Sequence, residues 1–95
     1  MMYDHADWSL IPPHMIGSLH RYIENGIAPG SFLMAVLTND LRRAVECADE
    51  VNRHRLPDYV RFLYCFAPID CWGNPAKVDT WIAHKGLGLE HVCRD

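Results

Sequence analysis

Six histidines and four cysteines in a chain of 95 residues are the side chains best suited to metal or nucleophilic chemistry. Zinc requires four nitrogen or sulfur ligands in a tetrahedral array, usually delivered as closely spaced pairs. The nearest local pairs are Cys65 with Cys71 and His91 with Cys93, and neither has the spacing of a loop knuckle. Four ligands would have to converge from separate helices. A Cys-His nucleophilic pair, for example Cys71 with His14, is conceivable because such pairs are defined by geometry and not by sequence order. No glycine-rich phosphate loop, nucleophile elbow or His-Glu-x-x-His motif accompanies them. The residues therefore assign no catalytic group, no cofactor and no metal, and the chain reads as non-enzymatic; a thiol- or metal-dependent enzyme is the alternative from this chemistry. Cys47, Cys65, Cys71 and Cys93 are expected as free thiols, the buried ones serving as small hydrophobes.

Other polar groups suit binding better than bond making. Asp40, Glu46, Asp49 and Glu50 could pair for acid-base work, but a charge run on the outer face of a helix reads as solvated surface. Arg42-Arg43 and Arg53-His54-Arg55 sit among those carboxylates and are expected to form a mixed, salt-bridged surface. Nine basic against twelve acidic side chains leave a net charge of −3, too little positive charge for a broad phosphate-binding face, so direct nucleic-acid binding is not expected. Trp72, in a Cys-Trp-Gly loop, is either a lid over the core or an exposed anchor; a domain this small needs its aromatics inside, which favours the lid.

These groups are positioned by helices. An apolar fraction of 49% with 22% charged residues belongs to a folded globule, and the length allows one shared interior. Residues 1–11 lack periodicity but carry Tyr3, Trp8, Leu10 and Ile11, and read as an arm covering the core. Pro12-Pro13 opens a helix over 12–25, with Met15, Ile16, Leu19, Tyr22 and Ile23 on one stripe and Gly26 as its stop. Pro29-Gly30-Ser31 starts a second helix over 29–48, with Leu33, Leu37, Leu41, Ala44 and Ala48 in line. Asn39-Asp40 interrupts it with residues that favour caps, and a continuous helix is preferred over a break there. A third segment, 50–67, aligns Leu56, Val60, Leu63, Tyr64 and Ala67, flanks them with Tyr59, Phe62 and Phe66, and is kinked or restarted by Pro57. Asn74-Pro75 caps a last helix over 75–85 that buries Val78, Trp81 and Ile82 and ends at Gly86. Residues 87–95 read as a loosely docked tail. The expected fold is all-α: a compact bundle of four to five short helices in a single domain over 1–95, with an N-terminal arm.

The string Ile11-Pro12 with His14, Arg21-Tyr22-Ile23-Glu24, Gly26-Ile27, Pro29-Gly30-Ser31-Phe32-Leu33, Ala35-Val36-Leu37, Asn39-Asp40-Leu41, Ala48-Asp49, Asn52, Cys71-Trp72-Gly73 and Trp81 resembles a family of small proteins encoded by bacteriophages and prophages. The resemblance covers roughly residues 11–84. It implies a biological setting and no particular chemistry: small phage proteins often inhibit host machinery or host defence, anti-CRISPR proteins included. The expected function is then binding to, and occlusion of, a host protein or protein complex. Asn39, Asp40, Arg42, Arg43 and Glu46 on the polar side of the second helix are the candidate surface, with Trp72 as anchor. The alternative is a self-assembling accessory protein, a homodimer through Phe62, Phe66 and Trp72. The N-terminus has no basic stretch leading into an apolar run, and no run is long enough to span a membrane, so the expected location is the host cytoplasm.

Overall fold

Prolines, glycines and short polar side chains set most helix starts in the computed structural model, which describes residues 2–88. Helix α1 spans Pro13–Asn25, α2 Ser31–Leu37, α3 Leu41–Cys47, α4 Glu50–His54, α5 Leu56–Phe66 and α6 Pro75–Ala83. Single 3-10 turns at Met2–His5, Trp8–Leu10 and Ile69–Cys71 complete the helical elements, and there is no strand among the described residues. The fold is a compact all-α bundle.

Continuity of the helix expected over 29–48 is overturned. Asn39 turns left-handed at φ 65°. Its N–H donates to the Val36 carbonyl, while the Asp40 N–H donates to the Ala35 carbonyl at 2.8 Å. These two bonds are the reversed pair of a Schellman ending, with asparagine where glycine is usual. Asp40 then accepts from the Arg43 N–H and caps α3. Both residues act on the local preferences that argued for a break. The turn re-aims α3, so that only Ala44 of it is buried, and Leu41, expected on the core line, is 70% exposed.

A second elbow divides the segment expected over 50–67. Arg55 ends α4 and opens α5, Pro57 occupies the first turn of α5, and Asp49 caps α4 by accepting from the Asn52 N–H at 2.7 Å. The buried face of α5 is Tyr59, Phe62 and Leu63. It is rotated from the expected line, and Val60 and Tyr64 face outward. Arg55 also donates to the Ser9 and Leu10 carbonyls, tying the arm down. Within the arm Tyr3 and Ile11 are buried, and Trp8 packs against Phe62 with ring centroids 4.7 Å apart.

Helix α1 buries Leu19, Tyr22 and Ile23; Gly26 N–H serves its Arg21 and Tyr22 carbonyls, and the Ile23 and Glu24 carbonyls that follow find donors from outside the helix. The Trp81 indole N–H of α6 lies 3.1 Å from the Tyr22 carbonyl and 3.2 Å from that of Ile23. The Leu87 N–H then donates to Ile23 and the Gly88 N–H to Glu24. The first and last helices are thus stitched end to end, and the start of the expected tail is part of the stitch; residues 89–95 lie outside the described chain. Contact this close leaves no room for side chains: a Cβ on Gly26, at φ 68°, would stand 2.6 Å from the Gly86 nitrogen. Gly26→Ala is therefore expected to lower stability in urea unfolding by about 2 kcal/mol or more, combining left-handed strain with collision. A variant as stable as wild type would remove the stitch from this account of the fold.

Candidate interaction surface

The outward rotation of α3 and α5 leaves a line of apolar side chains without a core to enter. Pro57, Val60 and Tyr64 recur at i, i+3 and i+7 along α5 and share one helix face. Val60 is 51% and Tyr64 81% exposed, with Leu41 at 70% beside them and Ile69 at 75% beyond the end of α5. Together these four residues expose on the order of 500 Å² of surface, most of it apolar, within the range of the largest patch on a monomer.

Two grooves run through this face. One, of about 250 Å³, lies between the α2–α3 elbow and the first half of α5, walled by Val36, Leu41, Ala44, Leu56 and Val60. The other, of about 380 Å³, is walled by Tyr64, Ala67, Ile69, Trp72 and Lys77. Asn39 lines both, so the elbow that breaks the helix is also where the grooves meet. The Gly73 N–H donates to the Leu37 carbonyl at 2.7 Å, which fixes the Cys-Trp-Gly loop against the end of α2. A larger depression, about 560 Å³, follows α6 past Lys77, Trp81 and His84. Its lining is mixed, and its polar groups are partly engaged: the Lys77 ammonium already donates to the Ile69 carbonyl.

The structure splits the set of residues expected from sequence. Asn39 and Trp72 come together on the second groove, and Asn39 and Asp40 on the first. Trp72 is half-buried, packed against the core with part of its surface lining the groove. Arg42 and Glu46 pair with each other at 3.6 Å in full solvent, an interaction worth little on its own. Arg43 belongs to a separate cleft beside Pro29, Ser31 and Thr38. Sequence reasoning missed Leu41, Val60, Tyr64 and Ile69. The signal available was the Pro57, Val60, Tyr64 spacing, which sorts to a different face from Tyr59, Phe62 and Phe66. The homodimer surface of Phe62, Phe66 and Trp72 is corrected as well, because Phe62 is fully buried.

The other chemically suggestive groups are engaged structurally. His14 Nε2 lies 3.0 Å from Asp49, whose carboxyl is held below its ordinary value first by the Asn52 N–H and then by this histidine. Arg53 and His54 share Glu50, and Arg55 holds Asp58 at 2.7 Å. Among the described residues no three His, Cys, Asp or Glu side chains are grouped to hold a metal; the His91–Cys93 pair lies outside them. Cys71 is fully buried, and burial pushes its thiol up to about 12, the reverse of an activated nucleophile. No described helix is long and apolar enough to cross a membrane. No protein-family model, curated protein or solved structure matches the chain.

Exposure separates the thiols. Cys47 and Cys65 are exposed, so maleimide labelling of the native protein followed by peptide mapping is expected to modify both and to leave Cys71 unmodified until denaturant is added. Equal labelling of all three would contradict the packing. High pH is expected to weaken the fold. Tyr22 and Tyr59, ordinarily at 10.0, and Cys71, ordinarily at 9.0, are all raised, chiefly by burial. Between the ordinary and the raised values the unfolded chain has lost protons that the folded chain keeps, so stability falls as pH rises. The decline should begin near pH 9 and be shallower in Cys71→Ala; a flat profile from pH 8 to 11 would refute it.

Proposed function

We propose that this protein acts without catalysis, by seating the α3–α5 face on another protein and occluding it. The observation that carries this reading is the contiguous apolar line of Leu41, Val60, Tyr64 and Ile69, set across two grooves on a helical framework whose own core is already filled. A surface of this kind, with aromatic anchors at its centre and charges at its margin, has the layout of a protein interface. Asn39, Asp40 and Trp72 line the grooves, while Arg42, Arg43 and Glu46 form the charged rim. The resemblance of residues 11–84 to phage-encoded proteins supplies the setting: the partner is a host protein or complex in the host cytoplasm, and the effect is inhibition, of the anti-defence or anti-CRISPR kind.

Centre and rim predict different costs. Immobilised wild-type protein, held dilute, should retain a host partner whose affinity falls at least about tenfold on Tyr64→Ala or Ile69→Asp, two apolar members of the patch. Arg42→Ala should change affinity by less than about twofold, acting on the association rate. Both apolar residues are solvent-exposed, so melting temperatures should match wild type and separate lost binding from lost folding. Recovery of no partner, or equal recovery by wild type and Tyr64→Ala, would refute the assignment of this face.

A further inference from the structure

Helix α5 carries a projection and a recess on the same face. Tyr64 stands out at 81% exposure. The groove of about 250 Å³ beside Leu41, Pro57 and Val60 lies toward the other end of the helix. Val60, in the wall of that groove, and Tyr64 are one helical turn apart, about 5.4 Å along the axis. A face that holds both a knob and a hole can meet a copy of itself across a two-fold axis, each knob entering the other hole. Antiparallel apposition of two α5 helices about an axis near Val60 sets position 64 of each against position 57 of the other, which is the mouth of the groove. Apart from Asn39 and Asp40 the groove walls are apolar, suited to a phenol ring whose hydroxyl stays at the wet, polar edge. Arg61, the charged side chain of α5 on this face, can lay its aliphatic stem along the line and keep its guanidinium in water.

The area fits a weak dimer: the four residues expose on the order of 500 Å², most of it apolar, and Pro57 and the exposed part of Trp72 add to it, somewhat short of the roughly 800 Å² per partner of a standard interface. We propose that a second copy of this chain covers the α3–α5 face, with Tyr64 of each copy seated in the Leu41–Val60 groove of the other. This inference rests on reading that face as the binding face, and it adds a regulation: self-association and capture of a host partner compete for one surface. Capture per chain then weakens as concentration rises through the dimer dissociation constant.

Sedimentation of the full chain from micromolar to millimolar concentration tests it. Wild type should pass from monomer to dimer, and Tyr64→Ala should weaken that association at least about tenfold with no change in melting temperature. In a background with Cys47, Cys65 and Cys93 replaced by serine, Val60→Cys should form a disulfide-linked dimer under mild oxidation, and Arg42→Cys should not. A monomer throughout the range, a dimer that Tyr64→Ala leaves intact, or equal cross-linking from both cysteine positions would overturn the proposal. The two readings fail separately: a strict monomer that still captures a host partner through Tyr64 sinks the dimer alone. A dimer that captures nothing when diluted to monomer sinks the host-binding reading alone.

Discussion

The chain closes on itself through a few backbone carbonyls at the end of α1. Helices of five to thirteen residues do not persist alone in water, because nucleation is unfavourable and few bonds follow it. Each must borrow stability from its neighbours, and the weakest points are the ends, where donors and acceptors lack internal partners. Here the Ile23 and Glu24 carbonyls are taken up by the Trp81 indole and by the backbone following α6, and the indole also reaches the Tyr22 carbonyl that Gly26 already serves. This placement accounts for Trp81 being only half-buried: the ring packs against the core while its polar edge serves α1. It also demands two left-handed glycines in backbone contact, Gly26 and Gly86, and so joins a helix stop near residue 26 to one sixty residues later.

The same constraint governs the interior. Tyr22 donates to the Cys71 carbonyl and Tyr59 to Asn52 Oδ1, so both buried phenols are satisfied as neutral donors. Among the described residues no buried side-chain nitrogen or oxygen lacks a partner. A core whose polar groups are all matched has one arrangement and costs free energy to rearrange. Tyr22 and the loop at Cys71 are held by the first of these bonds and α4 and α5 by the second, with Trp8, Phe62 and Phe66 packed in an aromatic run between arm and helix. Little is left inside for chemistry, and the groups that sequence inspection singles out, Cys71 and His14, have structural partners or deep burial in place of each other.

Periodicity made α1 legible because a single helix with one core face obeys one phase throughout. It misled over residues 29–48 for the same reason: Leu41, Ala44 and Ala48 fit the phase of Leu33 and Leu37, but only if the chain runs straight; over 50–67 the restart at Pro57 was legible and the phase of the helix it opens was not. Asn39-Asp40 is a short-range capping signal that competes with the long-range pattern, and it prevails because bonds close locally: Thr38 Oγ1 and N–H to the Met34 carbonyl, the Asn39 N–H to Val36 and the Asp40 N–H to Ala35. Once the phase breaks, a residue's burial depends on the direction of the new helix axis, which no local spacing encodes. The candidate surface was accordingly legible in part. Asn39 and Asp40 could be named because polar side chains stay at the surface whether the helix continues or breaks, and Trp72 because a loop tryptophan is a candidate anchor; Leu41, Val60 and Tyr64 could not, because their exposure is a consequence of the two elbows.

That dependence also bears on what the face is for. An apolar residue turned outward by chance is ordinary, since most folded surfaces are more than half apolar. Leu41 is different in kind, because the elbow that exposes it also builds the groove it flanks with Val60, and Asn39, in a left-handed conformation that asparagine tolerates better than most residues, stands at the junction. Replacing the elbow by a continuous helix would return Leu41 to the core line and remove the groove in one step. The fold therefore obtains the geometry of this apolar face from backbone direction and not from any special side chain.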